Sequence, residues 1–222
     1  MLKALLFDFD GTIVDSKRAT IDLIQDTLNH FNEKIPPEKE MSALFGYKLP
    51  EVLRRILPNA SSERVHEIFI YSQTIVNKHA SKVEFMPNVL DVLESLKEEY
   101  RLGLVTSRGK AGLQHLFKLH NLHYYFKLVV DREDVAQHKP HPEGIFKAMK
   151  SMEVSPEEVL YIGDTEVDVE AAHNAGISCI LIGTENQHFE ADYHITYISE
   201  LPALLKIIET NQNPRKSALN PR

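Results

Sequence analysis

Five short apolar runs, at residues 2–9, 102–106, 128–130, 159–162 and 179–182, constrain this chain more than any other feature. Each is apolar at successive positions, so each reads as a strand covered on both faces. Most are followed by a longer stretch with helical spacing, such as 110–119 and 143–152. That repetition predicts a parallel sheet with right-handed crossovers, and the expected core is a three-layer, Rossmann-like α/β sandwich. A last short strand is expected near 193–196, before a helix at 199–209.

The rhythm breaks once. Between Val14 and Phe85 the chain shows helical spacing and no convincing strand: Ile21, Ile24, Leu28 and Phe31 mark one amphipathic helix, and Val65, Ile68, Phe69, Ser72 and Ile75 another. Pro36, Pro37, Pro50 and Pro58 divide this stretch into separate helices. The reading is therefore an α/β core at 1–14 and 84–210, an inserted α-helical cap at 15–83 and a flexible tail at 211–222. Because the insert leaves straight after the first strand, it is expected to project over the carboxyl end of the sheet, where open α/β folds bind ligands, and to act as a lid.

Composition narrows the function. With 222 residues the chain can bury a full core without disulfides, and its single cysteine, Cys179, lies in an apolar run where a buried structural thiol is expected. A net charge of −7 argues against a nucleic-acid partner. No apolar stretch approaches the roughly 20 residues of a membrane span, and no signal-peptide pattern opens the chain. A cytoplasmic monomer is expected.

Four polar segments then stand out, each at the end of a strand. Asp8-Phe9-Asp10-Gly11-Thr12 closes the first strand, and the period-two alternation of extended chain turns Asp8 and Asp10 to one side. Thr106 and Ser107 open the helix at 110–119, where hydroxyls, backbone N–H groups and the helix dipole can hold phosphate oxygens. Lys139 is fixed before Pro140, a point charge suited to phosphate. Asp164 and Asp168 follow the fourth strand, Asp168 one turn further along a helix. Singly these segments also read as a turn, a helix N-cap, a surface lysine and an acidic first turn. Together they bring acids, hydroxyls and an ammonium to one rim, and the hard oxygen donors suit Mg²⁺. His138 and His141 lack further ligands nearby and are read as structural or exposed.

In this order, Asp8–Thr12, Thr106, Lys139 and Gly163-Asp164-x-x-x-Asp168 resemble the four motifs of the haloacid dehalogenase-like hydrolase superfamily. The helical insert is similar to the small cap of its phosphoglycolate phosphatase-like members. The resemblance implies a phosphatase acting on a small phosphorylated metabolite: phosphoglycolate, a sugar phosphate, a nucleotide or pyrophosphate. Asp8 would be the nucleophile forming an aspartyl-phosphate and Asp10 the general acid/base, its proton held near working pH by the neighbouring carboxylate. Thr106, Ser107 and Lys139 would hold the phosphoryl group. Mg²⁺ would be bound by Asp8, the backbone carbonyl of Asp10 and Asp164, with Asp168 behind them. Dehalogenases lack the second aspartate present here as Asp10, which disfavours carbon–halogen cleavage. A phosphomutase resembling β-phosphoglucomutase and a non-catalytic phospholigand-binding regulator stay open as alternatives. Within the insert, Phe45-Gly46-Tyr47-Lys48-Leu49-Pro50 resembles a cap loop that enters the site in some relatives, which makes Lys48 a candidate specificity contact.

Overall fold

A computed structural model describes residues 1–183 and 189–212 of the chain. The strands are β1 (Ala4–Phe7), β2 (Val14–Asp15), β3 (Glu84–Phe85), β4 (Arg101–Val105), β5 (Leu128–Val130), β6 (Val159–Gly163), β7 (Ser178–Ile182) and β8 (Tyr193–Ile195). Six of them form one parallel sheet in the order β5-β4-β1-β6-β7-β8. The helices are α1 (Lys17–His30), α2 (Glu38–Ser42), α3 (Leu49–Ile56), α4 (Ser62–Ile75), α5 (Val89–Leu96), α6 (Lys110–His120), α7 (Glu143–Met152), α8 (Glu166–Asn174) and α9 (Leu201–Gln212).

Strand alternation produces the three layers. Leu5, Phe7, Leu102, Leu104, Leu160, Ile162, Ile180 and Ile182 point to a core shared with α5, α6 and α9. Ala4, Leu6, Val105, Val159, Tyr161, Cys179 and Leu181 point the other way, to α7 and α8. Because both faces are buried, the strands read as continuous apolar runs. Burial also pushes the Cys179 thiol up, consistent with an inert structural role.

The helices α1 to α4 pack around a separate core that includes Ile21, Ile24, Leu28, Met41, Leu53 and Ile68. The chain enters and leaves this insert through β2 and β3, which pair antiparallel with Val14 opposite Phe85 and Asp15 opposite Glu84. This two-stranded ribbon is an element that apolar runs did not predict. The first strand is also shorter than expected, ending at Phe7, although the Asp8 N–H still donates to the Ile162 carbonyl at 2.8 Å. The final helix begins at Leu201, after a 3₁₀ turn at Ile198–Glu200. The expected tail lies, from residue 213 onward, outside the described residues. No described helix is long and apolar enough to cross a membrane.

Candidate active site

The carboxyl ends of β1, β4 and β6 meet the insert around a cavity of about 140 Å³. Asp8, Asp10, Thr106, Ser107 and Asp164 all line it, so five of the residues expected from the sequence share one wall. Lys139 and Asp168 lie behind that wall, and both are buried. The Lys139 ammonium donates to Asp8 Oδ1 at 2.8 Å, to Asp168 Oδ1 at 2.6 Å and to the Tyr161 hydroxyl at 3.1 Å, which commits its three protons. Tyr161 in turn donates to the Val105 carbonyl at 2.9 Å. Asp168 is held from its other oxygen by Thr165, whose N–H (3.1 Å) and hydroxyl (2.6 Å) complete a capping box at the start of α8.

Asp10 has a different set of partners. Arg108 reaches both of its oxygens, Nε to Oδ2 at 2.9 Å and Nη2 to Oδ1, and Ser16 Oγ donates to Oδ1. Burial pushes the Asp10 carboxyl up, but the Arg108 guanidinium, the Ser16 hydroxyl and the Lys139 charge outweigh it and hold the group below the ordinary carboxylate range. The expectation that a neighbouring carboxylate keeps a proton on Asp10 is therefore not met in this state: Arg108 keeps Asp10 ionised. For Asp8 the balance is reversed. Burial pushes it up to about 7, against the pull of Lys139 and reinforced by the charges of Asp168 and Asp10. Asp164 is raised well above its usual value by burial, Asp168 and Asp8.

Two backbone features set this geometry. Gly11 has φ +90°, and a Cβ there would lie 2.0 Å from the Asp164 carboxylate, so only glycine lets the turn after β1 approach β6 so closely. Gly46, at φ +92°, carries the insert loop against Thr165, whose Oγ1 would be 2.8 Å from a Cβ. Ser107 Oγ donates to the Gly46 carbonyl at 3.1 Å, so this hydroxyl ties insert to core. Thr106 Oγ1 accepts from the Arg108 N–H at 3.0 Å.

Lys48 does not line the cavity. It caps α3 in an extended conformation (φ −65°, ψ 144°), and it takes the opposite side from its cavity-lining neighbours Tyr47 and Leu49. It lies in an outer groove with Glu51, Arg54, Arg132 and His138. Among groups the sequence reading assigned no role, Arg108 pairs with Asp10, Ser16 supports the same carboxylate, and Tyr161 anchors Lys139. Arg108 was visible only as part of the segment around Thr106.

The site fits a hard divalent cation. Asp8, Asp164 and Asp168 bring one carboxylate oxygen each within 4.8 Å of one another. Asp168 is already spent on Lys139 and Thr165, which leaves Asp8 and Asp164 as the side chains able to face an ion. Four carboxylates (Asp8, Asp10, Asp164 and Asp168) share two buried cations, Lys139 and Arg108, with the exposed Lys17 acting on Asp164 from the rim, so the site has an excess of negative charge that a divalent ion would offset.

A parallel sheet with a helical insert over its carboxyl rim, and an acid cluster braced by a buried lysine, define a hydrolase of one known class. The chain belongs to the haloacid dehalogenase-like hydrolase family, whose sequence profile matches residues 5–182. It is 28% identical over 215 residues to the pyrophosphatase PpaX of Bacillus mycoides, covering 93% of this chain and 98% of that protein. It is similar to a crystal structure of a HAD-superfamily hydrolase, subfamily IA, from Geobacter sulfurreducens, with a TM-score of 0.72 and 26% identity over 92% of this chain and 96% of that one. CbbY from Rhodobacter sphaeroides, crystallised with phosphate, shares the fold with a TM-score of 0.80 at 22% identity, covering 90% of this chain and 96% of that one.

Proposed function

We propose that this protein is a Mg²⁺-dependent phosphatase that hydrolyses a small phosphorylated metabolite through an aspartyl-phosphate on Asp8. The observation that carries this reading is Asp8 itself: a buried carboxylate at the end of the central strand, held by Lys139, open to the cavity and grouped with Asp164. The phosphatase and pyrophosphatase relatives, and the phosphate and bisphosphate seen in CbbY crystals, support phosphoryl chemistry at such a site.

In the first half-reaction an Asp8 oxygen forms a bond to phosphorus, the bond to the leaving oxygen breaks, and Asp10 donates a proton to that oxygen. In the second, Asp10 takes a proton from water as the water oxygen bonds to phosphorus and the Asp8–phosphorus bond breaks. The ionised Asp10 seen here suits the second half. For the first, the arriving phosphoryl oxygens compete for Arg108, and Asp10, released beside Asp8, takes up a proton. Thr106 faces the cavity where it can donate to a phosphoryl oxygen. Asp8 and Asp164 would hold Mg²⁺, which when bound would keep Asp8 ionised and offset phosphoryl charge. The insert serves as a lid, and the small cavity beneath it favours a metabolite over a macromolecule.

Measuring phosphate release across phosphoglycolate, sugar phosphates, nucleotides and pyrophosphate, with Mg²⁺ and with excess chelator, tests the reading. Activity should vanish in chelator, return with Mg²⁺, and be absent in Asp8→Asn and severely reduced in Asp10→Asn. Full turnover in chelator, or near wild-type turnover by Asp10→Asn, overturns the assignment.

A further inference from the structure

The outer groove, of about 310 Å³, runs along the seam between insert and core and is open to solvent. Lys48, at the N-cap of α3, and Glu51 and Arg54 within that helix stand three residues apart, so they project from one face of it. Arg132, Glu133 and His138 face them from the core. Both acids are already engaged. Glu51 pairs with Arg55 at 2.8 Å, and Glu133 accepts from Arg132 Nη2 at 2.6 Å and from the Lys110 N–H at 2.6 Å. Lys48 and Arg54 form no ion pair among the described residues. Four cations (Lys48, Arg54, Arg55 and Arg132) thus meet two carboxylates, in a chain whose net charge is −7.

Exposed cations contribute little singly, but grouped in a groove they focus a positive field on what enters it. The His138 imidazole registers that field: burial, Lys48 and Arg132 hold it below its ordinary range, against Glu143 and Glu133. It is therefore neutral at about pH 7 and offers a hydrogen bond without adding a charge. The core side is preorganised, because the Arg132 side chain is 14% exposed, lies 5.1 Å over the Phe69 ring and packs against Gly109, where a Cβ would come within 2.4 Å of it. Its Nε and Nη2 donate to Glu133, which leaves Nη1 uncommitted among the described residues. A phosphate-type oxyanion fits such a set of ammonium, guanidinium and imidazole donors drawn from two sides. Without a metal the reaction cavity competes poorly for the same anion, since four carboxylates crowd there.

We propose that this groove is a second binding site, separate from the reaction cavity, that takes a small phosphate-bearing anion between insert and core. The site stands apart from the phosphatase reading, and its test needs no turnover. Calorimetry on protein stripped of divalent metal, with inorganic pyrophosphate as the probe, should show one equivalent bound with a Kd of about 1 mM or tighter. The double variant Lys48→Ala/Arg54→Ala lies outside both the cavity and the insert's core. It should weaken that binding at least about tenfold with its far-ultraviolet dichroism unchanged. Lys17→Ala, at the exposed rim of the cavity, should leave the affinity within about twofold. Inorganic phosphate and ADP, titrated in the same way, tell a free inorganic anion from an organic phosphate, whose body would lie on Pro50, Phe69 and Val135. Absence of binding by all three probes, binding that survives the double variant, or binding lost in Lys17→Ala instead overturns the proposal. Pyrophosphate held at the groove with no ester hydrolysed in Mg²⁺ would sink the phosphatase reading while upholding this site, and hydrolysis with an empty groove would do the reverse.

Discussion

Replacing Lys139 with methionine removes an ammonium while keeping most of the side chain's volume, and the structure indicates what that costs. The Lys139 side chain is 6% exposed and bridges two carboxylates, Asp8 and Asp168, that are 4% and 0% exposed. The variant leaves both acids buried with no cation between them. Breaking a buried ion pair by removing one partner costs about 3–5 kcal/mol, and because one ammonium serves both acids the penalty is counted once. For a chain of this size that lowers the melting temperature by about 6–20 °C. The loss should also depend on pH. Burial lifts Asp8 to about 7 even with Lys139 opposing the rise, so without the ammonium it goes higher. The folded variant then holds a proton that the unfolded chain releases above about pH 4, so its stability declines as pH rises from there through about 7 and beyond. Thermal unfolding followed by circular dichroism, in chelator at about pH 6 and about pH 9, should show a larger deficit at the higher pH, because above about 7 wild-type Asp8 ionises against Lys139 while the variant's still holds its proton. A deficit below about 2 °C, or one of equal size at both values, would refute the idea that Lys139 balances these acids.

Arg108→Gln removes the main cation holding Asp10 down, so the limb of the kcat/KM pH profile governed by Asp10 should move to higher pH; an unmoved limb would dissociate Arg108 from the acid/base step. Gly46→Val places side-chain atoms against Thr165 at a positive φ, and the displaced lid should lower turnover about a hundredfold with the far-ultraviolet dichroism retained. Wild-type turnover in that variant would mean the lid seat is unimportant. Mg²⁺ binding should release a proton below about pH 7, because Asp8 must ionise to bind it; calorimetry in buffers of different ionisation enthalpy would detect this, and affinity independent of pH between about 5 and 8 would contradict it.

The layered core was legible because its strands are buried on both faces, which leaves continuous apolar runs in the sequence. Asp8 and Asp164 were legible for a related reason, since a carboxylate directly after such a run must sit at the rim of the sheet. Arg108 was not, because its partner Asp10 is 98 positions away and nothing local announces the pair. Tyr161 passed as one more strand residue, although its hydroxyl anchors Lys139 inside the core. Lys48 failed for a geometric reason: one residue of extended chain decides which side of a loop a side chain takes, and local sequence does not specify that side. The β2–β3 ribbon is only two residues per strand, too short for any periodicity to register.

That ribbon has an architectural consequence. Asp15 and Glu84 sit directly across from each other, so the whole insert hangs from two adjoining points and interrupts no hydrogen bond of the main sheet. A short tight turn joining those two positions would leave Asp8, Lys139, Asp164 and Asp168 on their strands and loops while removing the Ser16 hydroxyl from Asp10. The insert's side of the cavity is thus a separable cassette, open to exchange by grafting or recombination without rebuilding the main sheet.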